Sequence, residues 1–125
     1  MGNSVEAQVR AIAMMMLLAL AVAGCGSAAP TIIGEWNDRN DFLWEFDSEG
    51  EFAVQGGSIE VGTYMFDGDI LELDDAEDSS FCAGVHAEYG VTFLEGGDVM
   101  ELELIDDPCD IRRDADFGPL RRQDS

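Results

Sequence analysis

Apolar and polar residues alternate in short runs along most of this chain, beginning at Ile32. Successive side chains of a strand point to opposite faces, so a period of two is typical of strands that bury one face. Over residues 42–54 the buried face is predicted to hold Phe42, Trp44, Phe46, Phe52 and Val54. Over residues 99–105 the alternation predicts that three side chains point inward: Met100, Leu102 and Leu104. The pattern therefore predicts a sheet with an apolar interior.

Turn residues separate these runs. Asp67-Gly68 is the strongest hairpin signal, because Asp-Gly accepts the positive φ angles of a tight turn. Gly62 lies inside a run and indicates a bulge or bend. Pro108 ends a run, since proline cannot donate to a strand ladder. We therefore predict an all-β domain, an antiparallel meander of about seven or eight strands forming a small barrel, with no helix after the N-terminal apolar run.

The N-terminal apolar run is of a different kind. Residues 11–23 carry no charge and are too few to cross a membrane as a permanent helix, so they fit a cleavable export signal. They lead into Val22-Ala23-Gly24-Cys25, which resembles the signal of bacterial lipoproteins, where the cysteine becomes lipid-modified. The resemblance implies a lipidated Cys25 and a protein anchored in the cell envelope, facing the periplasm or exterior. Because Gly26 follows the cysteine, it implies the outer membrane in a Gram-negative cell. An ordinary signal peptide or a buried apolar helix is the alternative.

This resemblance divides the chain into four parts. Residues 1–24 are the lipoprotein signal peptide, 25–31 the lipidated cysteine and a flexible tether, 32–111 the β domain, and 112–125 a C-terminal tail. The length suffices for one hydrophobic core, and we expect a monomer. The arginines of the tail either dock it onto the acidic barrel or solubilise a frayed end: Arg112, Arg113, Arg121 and Arg122.

A second resemblance covers residues 32–113. The order of Gly34-Glu35-Trp36, a Gly-x-Tyr hairpin, a cysteine, a second tyrosine hairpin and Asp-x-Cys-x-x-Arg is similar to lipocalin-like, calycin-type domains of bacterial lipoproteins. In that family the tryptophan closes the barrel base and an arginine packs across it. The resemblance implies that Gly34 and Trp36 close this barrel with Arg112 or Arg113. The domain is shorter than a typical lipocalin.

The same resemblance implies binding of a small, partly apolar ligand in the barrel mouth. The candidates for lining that pocket are aromatic: Phe42, Trp44, Phe46, Tyr64 and Tyr89. Aromatic residues more often form a plain core. The alternative function is therefore a non-catalytic structural or protein-interaction module of the cell envelope, with a filled barrel.

Catalytic groups are sparse. His86 is the only histidine, and the alternation places it on the solvent face of its strand with Glu88 and Thr92. No serine lies in a nucleophile elbow. We therefore expect no enzyme, no catalytic residue and no cofactor. A general base or metal ligand at His86 is the alternative.

The charge of the chain is strongly acidic. It carries 27 acidic against 6 basic residues, a net charge of −21, and no lysine. Nucleic-acid affinity rests on cations that neutralise phosphates, so nucleic-acid binding is excluded. The acids indicate either the adaptation of a halophile to a salty environment, where counterions screen self-repulsion, or an acidic face for metal ions or a basic partner. The acidic loop 74–80 lacks EF-hand spacing, so we expect a solvated loop and no metal.

Two cysteines remain once Cys25 is assigned to lipid. Outside the cytoplasm, an even leftover pair most simply forms a disulfide, here between Cys82 and Cys109. The chain-entropy model gives such a bridge about 3.5 kcal/mol. A zinc site is the alternative, but two thiols without neighbouring histidines lack the ligands that zinc prefers.

Overall fold

The computed structural model describes residues 29–123. The predicted signal peptide (1–24), the predicted lipidation site Cys25 and residues 26–28 of the tether lie outside the described residues. Over residues 29–123, no helix has the length and apolar character needed to cross a membrane. Nearly all of this part is β structure, and eight antiparallel strands close into one barrel. The predicted fold class is therefore confirmed.

The strands follow one another around the barrel in chain order, and the last pairs with the first. They are β1 (Gly34–Asn37), β2 (Leu43–Phe46), β3 (Glu51–Gln55), β4 (Ile59–Phe66), β5 (Ile70–Asp75), β6 (His86–Leu94), β7 (Val99–Asp106) and β8 (Leu120–Arg122). A 3₁₀ turn (Glu95–Gly97) joins β6 to β7, and a short α-helix, α1 (Asp110–Asp114), precedes β8. The prediction of no helix after the N-terminal apolar run is therefore wrong for α1.

The alternation of apolar residues places the large side chains inside the barrel. The fully buried ones include Trp36, Phe46, Leu71, Leu73, Tyr89, Met100 and Leu120. Leu104 was expected inside but is 47% exposed. The pairing of β6 with β7 shifts at Glu88/Tyr89, where β7 carries an extra residue. The extra residue is Ile105, whereas Leu104 still pairs with Tyr89 and lines an open depression beside Phe117.

The predicted hairpin at Asp67-Gly68 joins β4 to β5. Gly68 has a φ of 103°, and the Asp67 carboxylate accepts hydrogen bonds from the amides of Asp69 and Ile70, both at 2.8 Å. Gly62 lies in regular pairing within β4, so no bulge occurs there. A Cβ at Gly62 would lie 2.0 Å from the Asp74 carbonyl oxygen. This glycine therefore permits close approach of two strands.

An arginine packs over Trp36, but it is Arg122 and not Arg112 or Arg113. The Arg122 guanidinium carbon lies 4.1 Å from the centroid of the Trp36 ring. Gly34 has a φ of 134°, and a Cβ there would lie 2.8 Å from Arg122 Nη1. Arg122 belongs to β8, which pairs with β1 and β7. The barrel therefore extends into the segment that was predicted to be a tail.

The two ends of the barrel differ. At the base, Arg122 donates to the carbonyl oxygens of Thr31, Ile33 and Gly97, at 2.8, 2.9 and 3.1 Å. The opposite end, called the mouth here, consists of the loops 38–42, 56–58, 76–85 and 107–119. The described chain thus enters the barrel at the base, and the mouth points the other way.

Candidate functional site

The long loop 107–119 crosses the mouth and fills it. The Phe117 ring lies 5.2 Å from the Trp44 ring and 6.3 Å from the Tyr89 ring, between centroids. The Arg39 amide donates to the Phe117 carbonyl oxygen at 2.9 Å. Phe117 therefore covers the aromatic interior from above.

Polar contacts join this loop to the loop 38–42. Arg39 forms an ion pair with Asp116 at 2.6 Å, and the Asn40 side-chain amide donates to the Asp116 carbonyl oxygen at 3.3 Å. The buried Asp38 carboxylate accepts from the indole N–H of Trp44 at 3.0 Å. Two of the four mouth loops are therefore held in fixed positions.

A buried charge cluster lies beneath the loop 107–119. Arg112 donates from Nε to Asp107 Oδ2 at 2.6 Å and from Nη1 to Asp75 Oδ1 at 2.8 Å. The Tyr89 hydroxyl donates to the same oxygen of Asp107, Oδ2. The Arg112 side chain is 7% exposed and both carboxylates are 0% exposed. Arg112, the arginine predicted from the Asp-x-Cys-x-x-Arg motif to close the barrel base, therefore belongs to a buried ion cluster instead.

The two acids of this cluster shift in opposite directions. Burial raises the pKa of Asp75, and the Arg112 charge offsets this only in part. Burial also acts to raise the pKa of Asp107, but hydrogen bonds from Arg112 and Tyr89 outweigh it and hold that pKa below its ordinary value. Burial and the hydrogen bond to Asp107 raise the pKa of Tyr89, so the phenol stays protonated. Asp107 is the permanent counterion of Arg112.

The predicted disulfide between Cys82 and Cys109 is confirmed, with a Cα–Cα distance of 5.4 Å. It joins the loop 76–85 to the loop 107–119. The amides of Phe81 and Cys82 donate to the two oxygens of the buried Glu60 carboxylate, at 2.6 and 3.2 Å. The Ser79 hydroxyl donates to the Val61 carbonyl oxygen at 2.8 Å. These bonds fix the loop 76–85 to β4.

The cavity at the mouth has a volume of about 80 Å³. Its apolar lining includes Phe42, Trp44, Phe81, Ile111 and Phe117. Ligand pockets for small molecules usually enclose about 300–1,000 Å³. This mouth cavity is therefore too small for a ligand of that size.

Of the five aromatic candidates for a ligand pocket, only two line the mouth cavity. Phe42 and Trp44 lie there, whereas Phe46 and Tyr89 are buried core residues and Tyr64 packs edge-on against Phe46 at 5.1 Å. Two larger depressions, of about 730 and 340 Å³, are open to solvent. Most residues that line the larger one belong to β1–β4, among them Glu35, Glu45 and Thr63. Neither lies inside the barrel.

Two large apolar side chains project into solvent beside the mouth cavity. Phe81 and Ile111 are each 58% exposed, and they flank the two cysteines of the disulfide. Together with Phe42 and Phe117 they form a surface that we call the mouth patch. Sequence reasoning missed Phe81 and Ile111. The available signal was a single large apolar residue within two positions of each cysteine, among polar residues.

His86 lies on the outer face of the barrel, as predicted. Its Nδ1 is 2.7 Å from Asp74, and its Nε2 is 3.6 Å from Glu72 and 3.8 Å from Glu88. The hydrogen bond with Asp74 raises the pKa of His86, and the charges of all three carboxylates add to the shift. The ring is half exposed and lies in no cleft, so the arrangement stabilises an imidazolium on a strand surface.

The acidic loop 74–80 is only partly solvated. Asp75 is buried against Arg112, whereas Glu77 and Asp78 are exposed. Among residues 29–123, three groups of side chains bring possible metal-ligating atoms within 4.8 Å of one another. One contains Cys82, whose sulfur is committed to the disulfide; the others are Glu72 with His86 and Glu88, and Asp47 with Glu49 and Glu51. The last two groups are solvated clusters on strand and turn surfaces.

Comparison of the chain with protein-family models, with curated proteins and with solved structures finds no match.

Proposed function

We propose that this protein is a non-catalytic, protein-interaction module of the bacterial cell envelope, anchored to a membrane through a lipidated Cys25. The observation that carries the proposal is the filled barrel. Phe117 packs on Trp44 and Tyr89, and the mouth cavity that remains measures about 80 Å³. The structure thus favours the second of the two functions expected from the sequence.

The volume argues against a carrier of small molecules. A ligand of ordinary size would have to displace Phe117 and the loop 107–119. That loop is held by the disulfide, by the Arg39–Asp116 ion pair and by the buried Arg112. Opening the barrel would break several of these contacts at once. A carrier of a small apolar ligand would need that free energy each time a ligand binds.

The polar groups support a non-catalytic role. Among residues 29–123, every buried side-chain nitrogen and oxygen has a hydrogen-bond partner within the protein. Asp75 and Asp107 form ion pairs with Arg112, and the Glu60 carboxylate accepts hydrogen bonds from two backbone amides. His86 is half exposed and held among carboxylates. None of these groups is presented to a substrate in a water-excluded site.

The anchor is supported by the sequence of residues 11–25 and by the direction in which the chain enters the barrel. Residues 30–33 lie at the base, where Arg122 binds the carbonyl oxygens of Thr31 and Ile33. A tether that leaves from the base directs the mouth away from the membrane. We place the protein on the periplasmic or external side, on the outer membrane in a Gram-negative cell.

Mass spectrometry of the full chain, purified from bacterial membranes in detergent, tests both parts of the proposal. We expect an acylated Cys25 at the N-terminus of the denatured protein and no retained small molecule under native conditions. Cys25→Ser should release the protein from the membrane fraction. A stoichiometric small molecule would refute the filled-barrel function, and an unmodified Cys25 would refute the anchor.

A further inference from the structure

We infer that the mouth patch is a docking site for a basic polypeptide segment, which inserts one large apolar side chain into the mouth cavity. The inference rests on the proposed function and specifies the chemistry of the partner. It follows from three observations: apolar side chains held in solvent, a cavity matched to one side chain, and a surrounding field of negative charge.

The backbone that carries the two exposed side chains of the patch is held in place by its neighbours. The Phe81 amide donates to the buried Glu60, and the following residue, Cys82, is in the disulfide. Ile111 immediately precedes Arg112, which is fixed by Asp75 and Asp107. Binding to a preformed surface loses little conformational entropy. Exposed apolar residues held this firmly are typical of a binding surface rather than of a mobile loop tip.

The mouth cavity limits what can enter. About 80 Å³ admits one large side chain and excludes an intact drug-sized molecule. Its walls are mostly aromatic and aliphatic, with Trp44 at one side and Phe81 at another. The end of a leucine side chain, or the edge of a phenylalanine or tryptophan ring, from a partner is the occupant of matching size and polarity.

The charge around the patch determines the sign of the charge that a partner must carry. The mouth loops carry exposed carboxylates: Asp41, Glu77, Asp78, Asp110, Asp114 and Asp116. Their exposed cations are Arg39 and Arg113, and both form ion pairs with acids of the same loops. The mouth is therefore a negative surface on a chain of net charge −21. Such a surface attracts basic segments and speeds their association, more strongly at low salt.

The same charge disfavours other occupants. A second copy would bring another acidic mouth against the first, and anionic lipid or nucleic acid would be repelled in the same way. A basic polypeptide carrying an apolar anchor satisfies both the charge and the cavity.

Fluorescence anisotropy tests the inference with the full chain in neutral detergent. The probes are labelled nine-residue peptides that alternate glycine and lysine around a central leucine, phenylalanine or tryptophan. We expect at least one probe to bind about tenfold more tightly than the same peptide with a central alanine. Binding should weaken in about 0.5 M salt, and peptides with glutamate in place of lysine should not bind.

Variants of the patch locate the site. We expect Phe81→Ser and Ile111→Ser each to weaken binding about tenfold. Met65→Ser is the matched control, because Met65 is 65% exposed on the outer face of β4, near the base. It should leave the affinity unchanged. Near-ultraviolet circular dichroism confirms that each variant is folded, which is expected since all three side chains are mostly exposed.

Three results would overturn the inference: no binding of any apolar probe, equal binding of the alanine peptide, or equal losses in the control and patch variants. Patch-dependent binding to phosphatidylcholine vesicles would assign the surface to a membrane instead. Patch-dependent self-association in sedimentation would assign it to a second copy. If no peptide binds while native mass spectrometry detects no small molecule, the docking inference fails and the filled-barrel function stands.

Discussion

Replacement of Arg112 by methionine tests the buried ion cluster of the barrel. The guanidinium binds Asp75 and Asp107 at 2.8 and 2.6 Å, and all three side chains are almost fully buried. Methionine fills a similar space but leaves two carboxylates without their cation. Breaking a buried ion pair from one side costs about 3–5 kcal/mol, because a buried charge stays uncompensated. For a domain of this size, that lowers the Tm by about 12–40 °C.

The pH dependence distinguishes this mechanism from a simple loss of packing. Without Arg112, burial raises the folded-state pKa of Asp107 as it already raises that of Asp75. The folded state then binds more protons than the unfolded state in mildly acidic solution, so its stability increases as the pH falls from 7 towards 5. The deficit of the variant relative to wild type should therefore shrink on acidification. A packing defect would stay constant.

Urea unfolding at several pH values, followed by the fluorescence of the two buried tryptophans, measures the effect. Arg113→Met is the matched control, because Arg113 is adjacent but forms only exposed ion pairs with Asp110 and Asp114. Such pairs contribute less than about 1 kcal/mol. The reasoning is refuted if Arg112→Met loses no more stability than Arg113→Met at pH 7, or if its deficit does not depend on pH.

Three further changes test other parts of the barrel. Arg122→Lys keeps the charge but removes the planar fork that binds three carbonyl oxygens at the base, and should lower the free energy of unfolding by about 1–3 kcal/mol. The double change Cys82→Ser and Cys109→Ser should lower it by about 3.5 kcal/mol in thermal or urea unfolding. In a ring-proton nuclear magnetic resonance titration, His86 should have a pKa above its ordinary value, and Asp74→Asn should lower that pKa. The stability that protonated His86 contributes is present below its unfolded-state pKa and is lost as the pH rises through its folded-state pKa.

Each of these expectations has a result that contradicts it. Wild-type stability in Arg122→Lys would show that the base does not depend on the guanidinium geometry. Unfolding of the double serine variant at the wild-type urea midpoint would remove the loop-closure argument. An unchanged His86 titration in Asp74→Asn would show that the hydrogen bond at Nδ1 does not control the proton.

The interior of the barrel could be predicted because strand alternation is local. The side chains of Trp44, Phe46 and Phe52 point inward as their spacing requires, and Asp67-Gly68 forms the expected hairpin. The disulfide could also be predicted, since two cysteines left over outside the cytoplasm have few other fates. Predicting these features requires only the identity of neighbouring residues or the number of cysteines.

Barrel closure and the charge cluster depend on contacts that local patterns do not encode. β8 has three residues, too few to show alternation, so Arg122 could not be distinguished from the other arginines near the C-terminus. Asp75 and Asp107 are two acids among 27, and their burial follows from where the loops 76–85 and 107–119 lie. The mouth patch could not be predicted for the same reason, because its two exposed apolar residues belong to loops that meet only in the folded chain.

The opposite placement of base and mouth determines how the barrel responds to tension. A pull between the chain at residue 29 and a body held at the mouth acts largely along the strands, which tilt by about 35–45° from the axis of a closed barrel. The hydrogen bonds of β1 with β2 and β8 then share the load in shear, instead of breaking one after another as in peeling. The Arg122 guanidinium joins Thr31, Ile33 and Gly97 at the point where the force enters. A pull from the entry point is therefore spread over β1, its two neighbouring strands and the loop at Gly97.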